Sequence, residues 1–234
     1  MIAQQSVPLS QHDLLDADEC ASVARQVEAL RPHWQRRSQG SFFSLGTAAY
    51  LDAPGRQEAY LDSARRTNPV LLEAFPDLQH RVAHFLAELL AEKVVIDTER
   101  AVPGFHIFLL DGSERGRDEP ARRAHFDLQW RDAYPGPEPT GTLSFTLPIE
   151  APSGGASMAV WNMHYHDALL GAGSAEHALS HRPRQIDYTP GRLVIHDGLI
   201  LHAIGAAGEA RPRGRRITLQ GHAVRIGQGW RLYW

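Results

Sequence analysis

The hydrophobic pattern changes its period near Pro103, and this change constrains the fold more than any other feature of the sequence. Before Pro103, apolar residues recur at the spacing of helices. After it, short strand-like segments are separated by Gly, Pro, Asp and Ser. These segments are GFHIFLL, AHFDLQW, TGTLSFTLPIE, GASMAVWNM, RLVIHDG and RRITLQGHAV. Strands that follow one another without long intervening helices are typical of an antiparallel sandwich or a small barrel.

The first hundred residues predict three helices. In DADECASVARQVEALRP, Asp16 is placed to cap a helix, with Glu19 three residues later. In NPVLLEAF, Asn68 is placed to cap a second helix that has Pro69 at its first position. The strongest pattern is PDLQHRVAHFLAELLAEKV, whose apolar stripe is wide enough to lie on a sheet. We therefore expect 1–100 to form a helical segment that packs, within the same domain, on a β core at 101–234.

Charge and cysteine content narrow the class of protein. With 24 basic and 27 acidic residues, the formal net charge is −3, which argues against a broad nucleic-acid-binding surface. The single cysteine, Cys20, cannot form an internal disulfide and so favours a reducing compartment. The N-terminus lacks the basic and apolar regions of a signal peptide, and no apolar run has the length of a membrane span. We expect a cytoplasmic protein with neither nucleic acid nor membrane as a partner, and the sequence predicts no particular oligomeric state.

A histidine and an aspartate stand two residues apart in RRAHFDLQW. On an extended strand, His125 and Asp127 share one face, so both side chains can reach one metal ion. The segment GRLVIHDGLILHAIG offers a third ligand at either His196 or His202. Two histidines and one carboxylate on one face of an ion are typical of non-haem Fe(II) oxygenases. Because the chain has 13 histidines, the H-x-D triplet alone is weak evidence for a metal site.

A line of polar residues in RRITLQGHAV strengthens the metal hypothesis. If this segment is a strand, Arg216, Thr218, Gln220 and His222 face one side of it, and Ile217 and Leu219 face the other. A continuous polar line of this kind indicates a cavity filled by water or by a ligand. Arg216 also presents a planar guanidinium that suits a carboxylate.

Taken in order, His125-x-Asp127, His202 and Arg216-x-Thr218 resemble the motifs of the Fe(II)/2-oxoglutarate-dependent dioxygenases. GRLVIHDGLILHAIG is similar to the strand and turn that carry the distal histidine in that family, which favours His202 over His196. The resemblance covers roughly 100–226 and implies an α+β fold with a mainly β core. That core would be a double-stranded β-helix, or jelly roll, with buttressing N-terminal helices. GFHIF and HFDLQ also resemble a subgroup that acts on free amino acids.

The resemblance implies a role for each matching residue. His125, Asp127 and His202 would bind Fe(II), Arg216 would pair with the distal carboxylate of 2-oxoglutarate, and Thr218 would be a second contact. The implied reaction uses O₂ to hydroxylate an unactivated C–H bond of a small polar metabolite, such as a free amino acid. In the same reaction 2-oxoglutarate is decarboxylated to succinate and CO₂. The carboxylate of Asp127 favours hydroxylation or a desaturation-type outcome over halogenation, because the related halogenases have Gly or Ala at that position.

Five further residues are weaker candidates for contact with a substrate. Gln129 has the same strand parity as the proposed metal ligands, and Trp130 follows it. His106 lies on the first strand-like segment and needs a hydrogen-bond partner if it is buried. Arg122 and Arg123 could attract an anionic substrate, although a solvated pair of arginines is the ordinary interpretation.

Two other functions remain open from the sequence. A cupin-like metal enzyme that does not use 2-oxoglutarate would give no role to Arg216 and would recruit a further histidine, such as His196. A non-catalytic jelly-roll binding module would keep the same residues as ordinary polar contacts. Binding of Fe(II) and 2-oxoglutarate discriminates among the three hypotheses.

Overall fold

Two β-sheets form the centre of the structure, and helices pack on the larger one. The structure is a computed structural model that describes residues 7–37, 41–111, 123–153, 155–171, 173–205 and 213–234. Within these ranges, nine strands form the larger sheet and three form the smaller sheet.

The structure describes twelve strands within these ranges. In chain order they are β1 (Ser10–Asp13), β2 (Gln35–Arg36), β3 (Phe42–Leu45), β4 (Val94–Ile96), β5 (Gly104–Asp111), β6 (Thr142–Glu150), β7 (Ser157–His164), β8 (Arg184–Asp187), β9 (Arg192–His196), β10 (Ile200–Gly205), β11 (Arg213–Ile226) and β12 (Gly229–Tyr233). The larger sheet has the order β1-β9-β6-β11-β5-β3-β2, and β12 pairs with both β11 and β4. The smaller sheet has the order β10-β7-β8.

The long strand β11 connects most of the larger sheet. It pairs antiparallel with β5, β6 and β12, and only the β12–β4 pairing in this sheet is parallel among the described residues. In β6, the side chains alternate between the two faces of the sheet, as the period-two pattern predicts. Leu143, Leu147 and Ile149 join the main core, whereas Ser144 and Thr146 line a cavity on the other face. The alternation therefore places polar groups where the two sheets face each other.

The helices include the three that the sequence predicts, with one different boundary. They are α1 (Ala17–Ala29), α2 (Ala49–Asp52), α3 (Gln57–Ala74), α4 (Pro76–Leu90), α5 (Trp130–Ala133), α6 (Tyr165–Leu169) and α7 (Ala175–Ser180). The predicted cap of α1 is confirmed: the Asp16 carboxylate accepts from the Glu19 N–H at 2.8 Å, and the Glu19 carboxylate accepts from the Asp16 N–H at 2.9 Å. The predicted amphipathic helix is α4.

The prediction that Asn68 caps a helix is wrong. Helix α3 begins at Gln57 and continues through Pro69, because a buried stripe at Tyr60, Ala64, Asn68 and Leu71 follows the helical period. The Asn68 amide donates to the carbonyls of Thr98 and Arg100 and accepts from the Val102 N–H. These bonds join α3 to the chain that leads into β5, so tertiary contacts outweigh the usual cost of a proline inside a helix.

The prediction that AHFDLQW forms a strand is also wrong. Within 124–130, only His125 forms a β-bridge, and the chain then turns into the short helix α5. Gln129 and Trp130, although adjacent, are both buried, and they face different surroundings. An alternating strand directs neighbouring side chains to opposite faces, whereas this segment uses a helical turn to bury both.

The main core lies between the larger sheet and the N-terminal part of the chain. Apolar residues of α1, α3 and α4 form one buried cluster with those of β5, β6, β9 and β11. The first hundred residues also contribute the strands β1, β2, β3 and β4 to the larger sheet. In the part of the chain that the structure describes, no helix combines the length and the apolar character needed to cross a membrane.

Candidate metal centre and cavity

Three potential metal ligands, His125, Asp127 and His202, meet between the two sheets. One ligand atom of each lies within 4.8 Å of the other two. The Nε2 of His125 is 3.6 Å from one carboxylate oxygen of Asp127, and the Nε2 of His202 is 3.6 Å from the other. An octahedral ion with bonds of about 2.1 Å holds adjacent donor atoms about 3 Å apart. The three donors therefore need only a small contraction to share one ion.

Backbone hydrogen bonds place these ligands. His125 and His202 exchange two bonds, from the His125 N–H to the His202 carbonyl at 2.9 Å and in return at 3.1 Å. The Asp127 N–H donates to the Gly198 carbonyl at 2.7 Å. Gly198 has φ of +78°, and a Cβ there would lie 2.9 Å from the Ser144 Oγ and 3.3 Å from the Asp127 Cβ. Glycine is therefore needed at 198 both for its backbone conformation and for the close approach of Asp127.

The two imidazoles are oriented by their other ring nitrogens. The Nδ1 of His125 lies 2.8 Å from the Arg123 carbonyl, and the Nδ1 of His202 lies 2.9 Å from the Ile200 carbonyl. A carbonyl can only accept, so each Nδ1 carries the proton and each Nε2 presents a lone pair. Metal-binding histidines are typically oriented by such contacts. The sequence alone did not predict these contacts of the two Nδ1 atoms with backbone carbonyls.

Two further histidines, His196 and His222, lie in the same cavity and differ from the three potential ligands. The Nδ1 of His196 accepts from the Gly198 N–H at 3.0 Å, so the proton of its neutral ring is on Nε2. The Nδ1 of His222 lies 2.9 Å from the Ser144 Oγ. Burial lowers the pKa of His196 to about 3 and that of His222 to about 4. Both imidazoles are therefore neutral at pH 7.

The charge of the site is negative near neutral pH. Burial also lowers the pKa of His202, so that this ring is neutral as a metal ligand must be. Burial alone would raise the pKa of Asp127, but the neighbouring His202, His222 and His196 outweigh it and hold this pKa below its usual range. One buried carboxylate among neutral imidazoles is an environment that favours a cation.

The cavity that contains these residues has a volume of about 650 Å³ and lies between the sheets. As the sequence predicts, Arg216, Thr218, Gln220 and His222 all line it from β11. The guanidinium carbon of Arg216 lies 3.9 Å from the centre of the Phe108 ring. This contact orients the planar guanidinium group, which we call the Arg216 fork. A cationic fork and a candidate metal centre thus share one cavity, where they can bind two ends of one molecule.

Several solved structures resemble this one along nearly its whole length. An N-substituted L-amino acid dioxygenase from Burkholderia ambifaria AMMD matches with a TM-score of 0.59 and 16% identity, over 97% of this chain and 86% of its own. An N-substituted L-amino acid dioxygenase of the same organism, in complex with alpha-ketoglutarate (2-oxoglutarate), matches with a TM-score of 0.57, at the same identity and coverage. An oxidoreductase of the 2OG-Fe(II) oxygenase family from Burkholderia pseudomallei matches with a TM-score of 0.52 and 13% identity, over 94% of this chain and 85% of its own.

The fold is that of the Fe(II)/2-oxoglutarate-dependent oxygenases. This agrees, for the fold alone, with the resemblance that the sequence motifs carry. No known family model and no curated protein matches the sequence itself. At identities this low, the resemblance concerns the path of the chain, so the chemistry has to be derived from the side chains in the cavity.

The structure shows which of the weaker candidates from the sequence line the cavity. His106 is buried in the cavity wall, and its Nε2 lies 3.0 Å from the Tyr50 hydroxyl, which supplies the partner it needs. Gln129 is buried and lines the cavity, although it precedes a helix and is not on a strand. Arg123 lines the cavity, and Arg122 lies outside the described residues.

Trp130 requires a correction, because it does not line the cavity. Its ring packs in a core cluster with Ala133, Val224 and Tyr233. The helical turn at α5 directs Gln129 to the cavity and the next side chain away from it. The predicted strand parity, which related Gln129 to the metal ligands, does not apply to this segment.

Tyr50, Arg131 and Tyr188 are among the cavity residues that were not candidates from the sequence. They come from α2, from α5 and from the chain before β9, so only the folded structure brings them together. The Tyr188 hydroxyl is buried without a well-formed hydrogen bond, and burial raises the pKa of Tyr188 to about 12. Tyr188 is therefore protonated at neutral pH, and the residue forms part of the cavity wall. Arg131 follows Trp130 directly in the sequence, and its charge was the only signal that could have identified it.

Proposed function

We propose that this protein is a non-haem Fe(II)/2-oxoglutarate-dependent oxygenase that hydroxylates an unactivated C–H bond of a small polar metabolite such as a free amino acid. The observation that carries the proposal is the shared cavity of two histidines, one aspartate and the Arg216 fork. The solved relatives support it, since two are N-substituted L-amino acid dioxygenases and one of these contains alpha-ketoglutarate.

The donor set fits Fe(II). His125, Asp127 and His202 provide two imidazole nitrogens and one carboxylate oxygen, which is the facial set of non-haem Fe(II) oxygenases. Three protein ligands leave the remaining coordination positions to small molecules. The exposed half of the His125 side chain faces the open side of the site, so these positions are accessible from the cavity. When bound, Fe(II) and 2-oxoglutarate use O₂ to oxidise a C–H bond, with release of succinate and CO₂.

Arg216 fits the distal carboxylate of 2-oxoglutarate. Its guanidinium is held over Phe108 and can donate two parallel hydrogen bonds to a carboxylate. Thr218 is buried on the same face of β11 and can donate a further bond from its hydroxyl. The protein therefore fixes the cosubstrate at the end remote from the metal and leaves its keto acid end for the ion.

The structure favours this proposal over a cupin-like enzyme that recruits His196. The His196 ring approaches His202, with 4.7 Å between the ring centres, but its Nδ1 is occupied by the Gly198 N–H. Its Nε2 then carries the proton and cannot ligate a metal without a change of tautomer. His196 is better suited to donate a hydrogen bond beside the site.

We also propose that the two facing sheets form a double-stranded β-helix and that 1–100 and 101–234 belong to one domain. The shared core supports the second point, since Val27 of α1 and Leu86 of α4 belong to the same buried cluster as Ile217 of β11. The helices would then buttress the larger sheet and stabilise the wall that carries Arg216.

Succinate formation by the purified protein tests the proposal. We expect it to require Fe(II), 2-oxoglutarate and O₂ together, and to increase when the true substrate is added. The exposed Arg66 on α3 provides a control, because Arg66→Gln removes an arginine far from the cavity and should leave succinate formation unchanged. A folded protein that binds Fe(II) but forms no succinate under any of these conditions would contradict the proposal.

A further inference from the structure

Two oppositely charged side chains of α5, Arg131 and Asp132, line the cavity. Within the described ranges, neither makes an ion pair, and the contacts of Arg131 are to aromatic residues only. Arg131 is exposed and Asp132 is half-buried, so both charges are accessible at the edge of the cavity. Neither residue has a role in the metal centre or in binding the cosubstrate.

One hydrogen bond and two ring contacts orient the guanidinium of the exposed Arg131. Its Nη2 donates to the Tyr165 hydroxyl at 2.6 Å. Its central carbon lies 5.2 Å from the centre of the Trp130 ring and 5.3 Å from that of Tyr165. Two aromatic rings and one hydrogen bond orient the group and leave its other N–H donors for an anion. Because these contacts orient the group, less conformational entropy is lost when a carboxylate binds to it.

Asp132 cannot neutralise Arg131. Successive residues on a helical turn point about 100° apart, so their side chains diverge. The structure accordingly has no ion pair between the two. The cavity rim thus presents a cation and an anion at separate places on one short helix. A molecule that carries both charges close together complements such a pair.

The rest of the cavity wall suits an apolar body. Phe42 and Phe108 stack with 4.4 Å between their ring centres, and both line the cavity with Pro54 and Leu128. The elements α2 and α5 are in contact, so Tyr50 and the charged pair border the same side of the opening. A ligand held at α5 by its charged end would have its side chain against this wall.

We propose that α5 recognises the primary substrate: Arg131 binds its carboxylate and Asp132 binds its ammonium group. The substrate is then a zwitterionic amino acid with an apolar side chain, bound at the rim by its charged end and directed inward by its side chain. This inference rests on the proposed function for the reaction, but the recognition site is defined by α5 alone. Arg131 is a binding residue, and Tyr165 positions it.

Binding to the anaerobic protein loaded with Fe(II) and 2-oxoglutarate tests the inference. The probes are L-leucine, L-methionine and L-phenylalanine, the three corresponding amino acid amides, and the three corresponding acids without the amino group. We expect calorimetry to show binding of at least one amino acid, with its amide and its des-amino acid each about 10- to 100-fold weaker. Equal affinity for the amide would exclude the carboxylate contact, and equal affinity for the des-amino acid would exclude the ammonium contact.

Matched variants assign the contacts to residues. Arg131→Gln should weaken amino acid binding about 10- to 100-fold, and Arg131→Lys should weaken it less, because the charge remains without the fork. Asp132→Asn should remove the discrimination between the amino acid and the des-amino acid. Tyr165→Phe should cause a smaller loss, and the control Arg66→Gln none. An Arg131→Gln protein that binds amino acids as tightly as the wild type would overturn the proposal.

The visible absorption band of the Fe(II)–2-oxoglutarate complex separates this inference from the proposed function. If the band forms in the wild type and in Arg131→Gln but no probe binds, α5 is not an amino acid site and the proposed function stands. If the band never forms, the proposed function fails. We expect the band to form equally in both proteins, and its shift to require about 10- to 100-fold more amino acid in Arg131→Gln than in the wild type.

Discussion

The two walls of the cavity hold their functional groups by different means. Arg216 and Thr218 lie on β11, which is paired with β5 on one side and β6 on the other. His125 and Asp127 lie on a segment with no strand of its own, attached by one β-bridge and one further backbone bond. The position of the fork is thus fixed by a whole sheet, whereas that of the metal ligands depends on a few local hydrogen bonds.

Because of this difference, substitutions in the two walls of the cavity should have different consequences. Removing a side chain from the larger sheet should weaken binding of one ligand and leave the rest of the cavity in place. Disturbing the attachment of 123–129 should displace several ligands of one metal ion together. The following substitutions distinguish the two walls, beginning with the largest expected effect.

Loss of a metal ligand should have the largest effect. We expect His125→Ala or His202→Ala to abolish turnover, because two ligands hold Fe(II) poorly where three are needed. His196→Ala should leave Fe(II) affinity largely intact, since this ring donates beside the site. Calorimetry with Fe(II) under anaerobic conditions measures each affinity. Loss of iron binding in His196→Ala, with His202→Ala unaffected, would reverse the assignment of the distal histidine.

Loss of the Arg216 guanidinium should weaken the binding of 2-oxoglutarate and leave the binding of Fe(II) little changed. Arg216→Ala leaves a carboxylate without its partner, which costs about 2–5 kcal/mol if the pair is removed from water. The expected result is a much higher KM for 2-oxoglutarate with Fe(II) affinity little changed, as measured by succinate formation. Normal 2-oxoglutarate binding in this variant, with Arg213 or Arg215 essential instead, would contradict the placement of the cosubstrate. Arg215 already pairs with Glu28 and Glu150 at 2.7 Å, which makes that outcome unexpected.

Gly198→Ala tests how the metal-binding segment is attached. The matched control is Gly227→Ala, because Gly227 has φ of +66° and nothing within 4 Å of an added Cβ. Both variants should lose about 1–2 kcal/mol of folding stability from backbone strain. Only Gly198→Ala should also weaken Fe(II) binding, since its Cβ would press on Ser144 and Asp127. Equal Fe(II) affinities in the two variants would show that the segment does not depend on this close approach.

The smallest expected effect is on the pH dependence of folding stability, and it arises from the buried His106 on the larger sheet. Burial, with Arg216 and Arg37, places the pKa of His106 well below its usual 6.5. The unfolded chain therefore binds the proton more readily, so this contribution to stability is present above pH 6.5 and is lost as the pH falls below it. Between pH 7 and 5.5 we expect a loss of about 1 kcal/mol that His106→Gln abolishes. The control is His80→Gln, which removes an exposed histidine and should leave in place the loss that His106 causes.

The sequence predicts those parts of the molecule in which one periodic pattern decides the structure. Helix α4 and the strands β5, β6 and β11 follow from their apolar spacing, and the polar line of β11 does face the cavity. The segment 124–130 was predicted incorrectly because its conformation depends on bonds to Gly198 and to His202, which are distant in sequence. Local propensity does not contain that information.

The residues of the candidate site likewise divide into those that the sequence identifies and those that only the folded structure brings to the cavity. The ordered motif identifies His125, Asp127 and His202, and the structure brings their ligand atoms together. The sequence could not relate Asp132 to the cavity, because a continued strand would have pointed residue 132 away from the face of His125 and Asp127. Only the helical turn of α5 brings both charges to the rim.

The most direct test of the proposed chemistry is an anaerobic titration of the wild-type protein with Fe(II) and then with 2-oxoglutarate. If His125, Asp127 and His202 leave coordination positions open beside Arg216, the chelated cosubstrate should give a weak visible metal-to-ligand charge-transfer band. That band should saturate at one 2-oxoglutarate per iron and should require far more 2-oxoglutarate in Arg216→Ala. Tight binding of Fe(II) without the band at any concentration of 2-oxoglutarate would contradict the assignment of this cavity to an oxygenase.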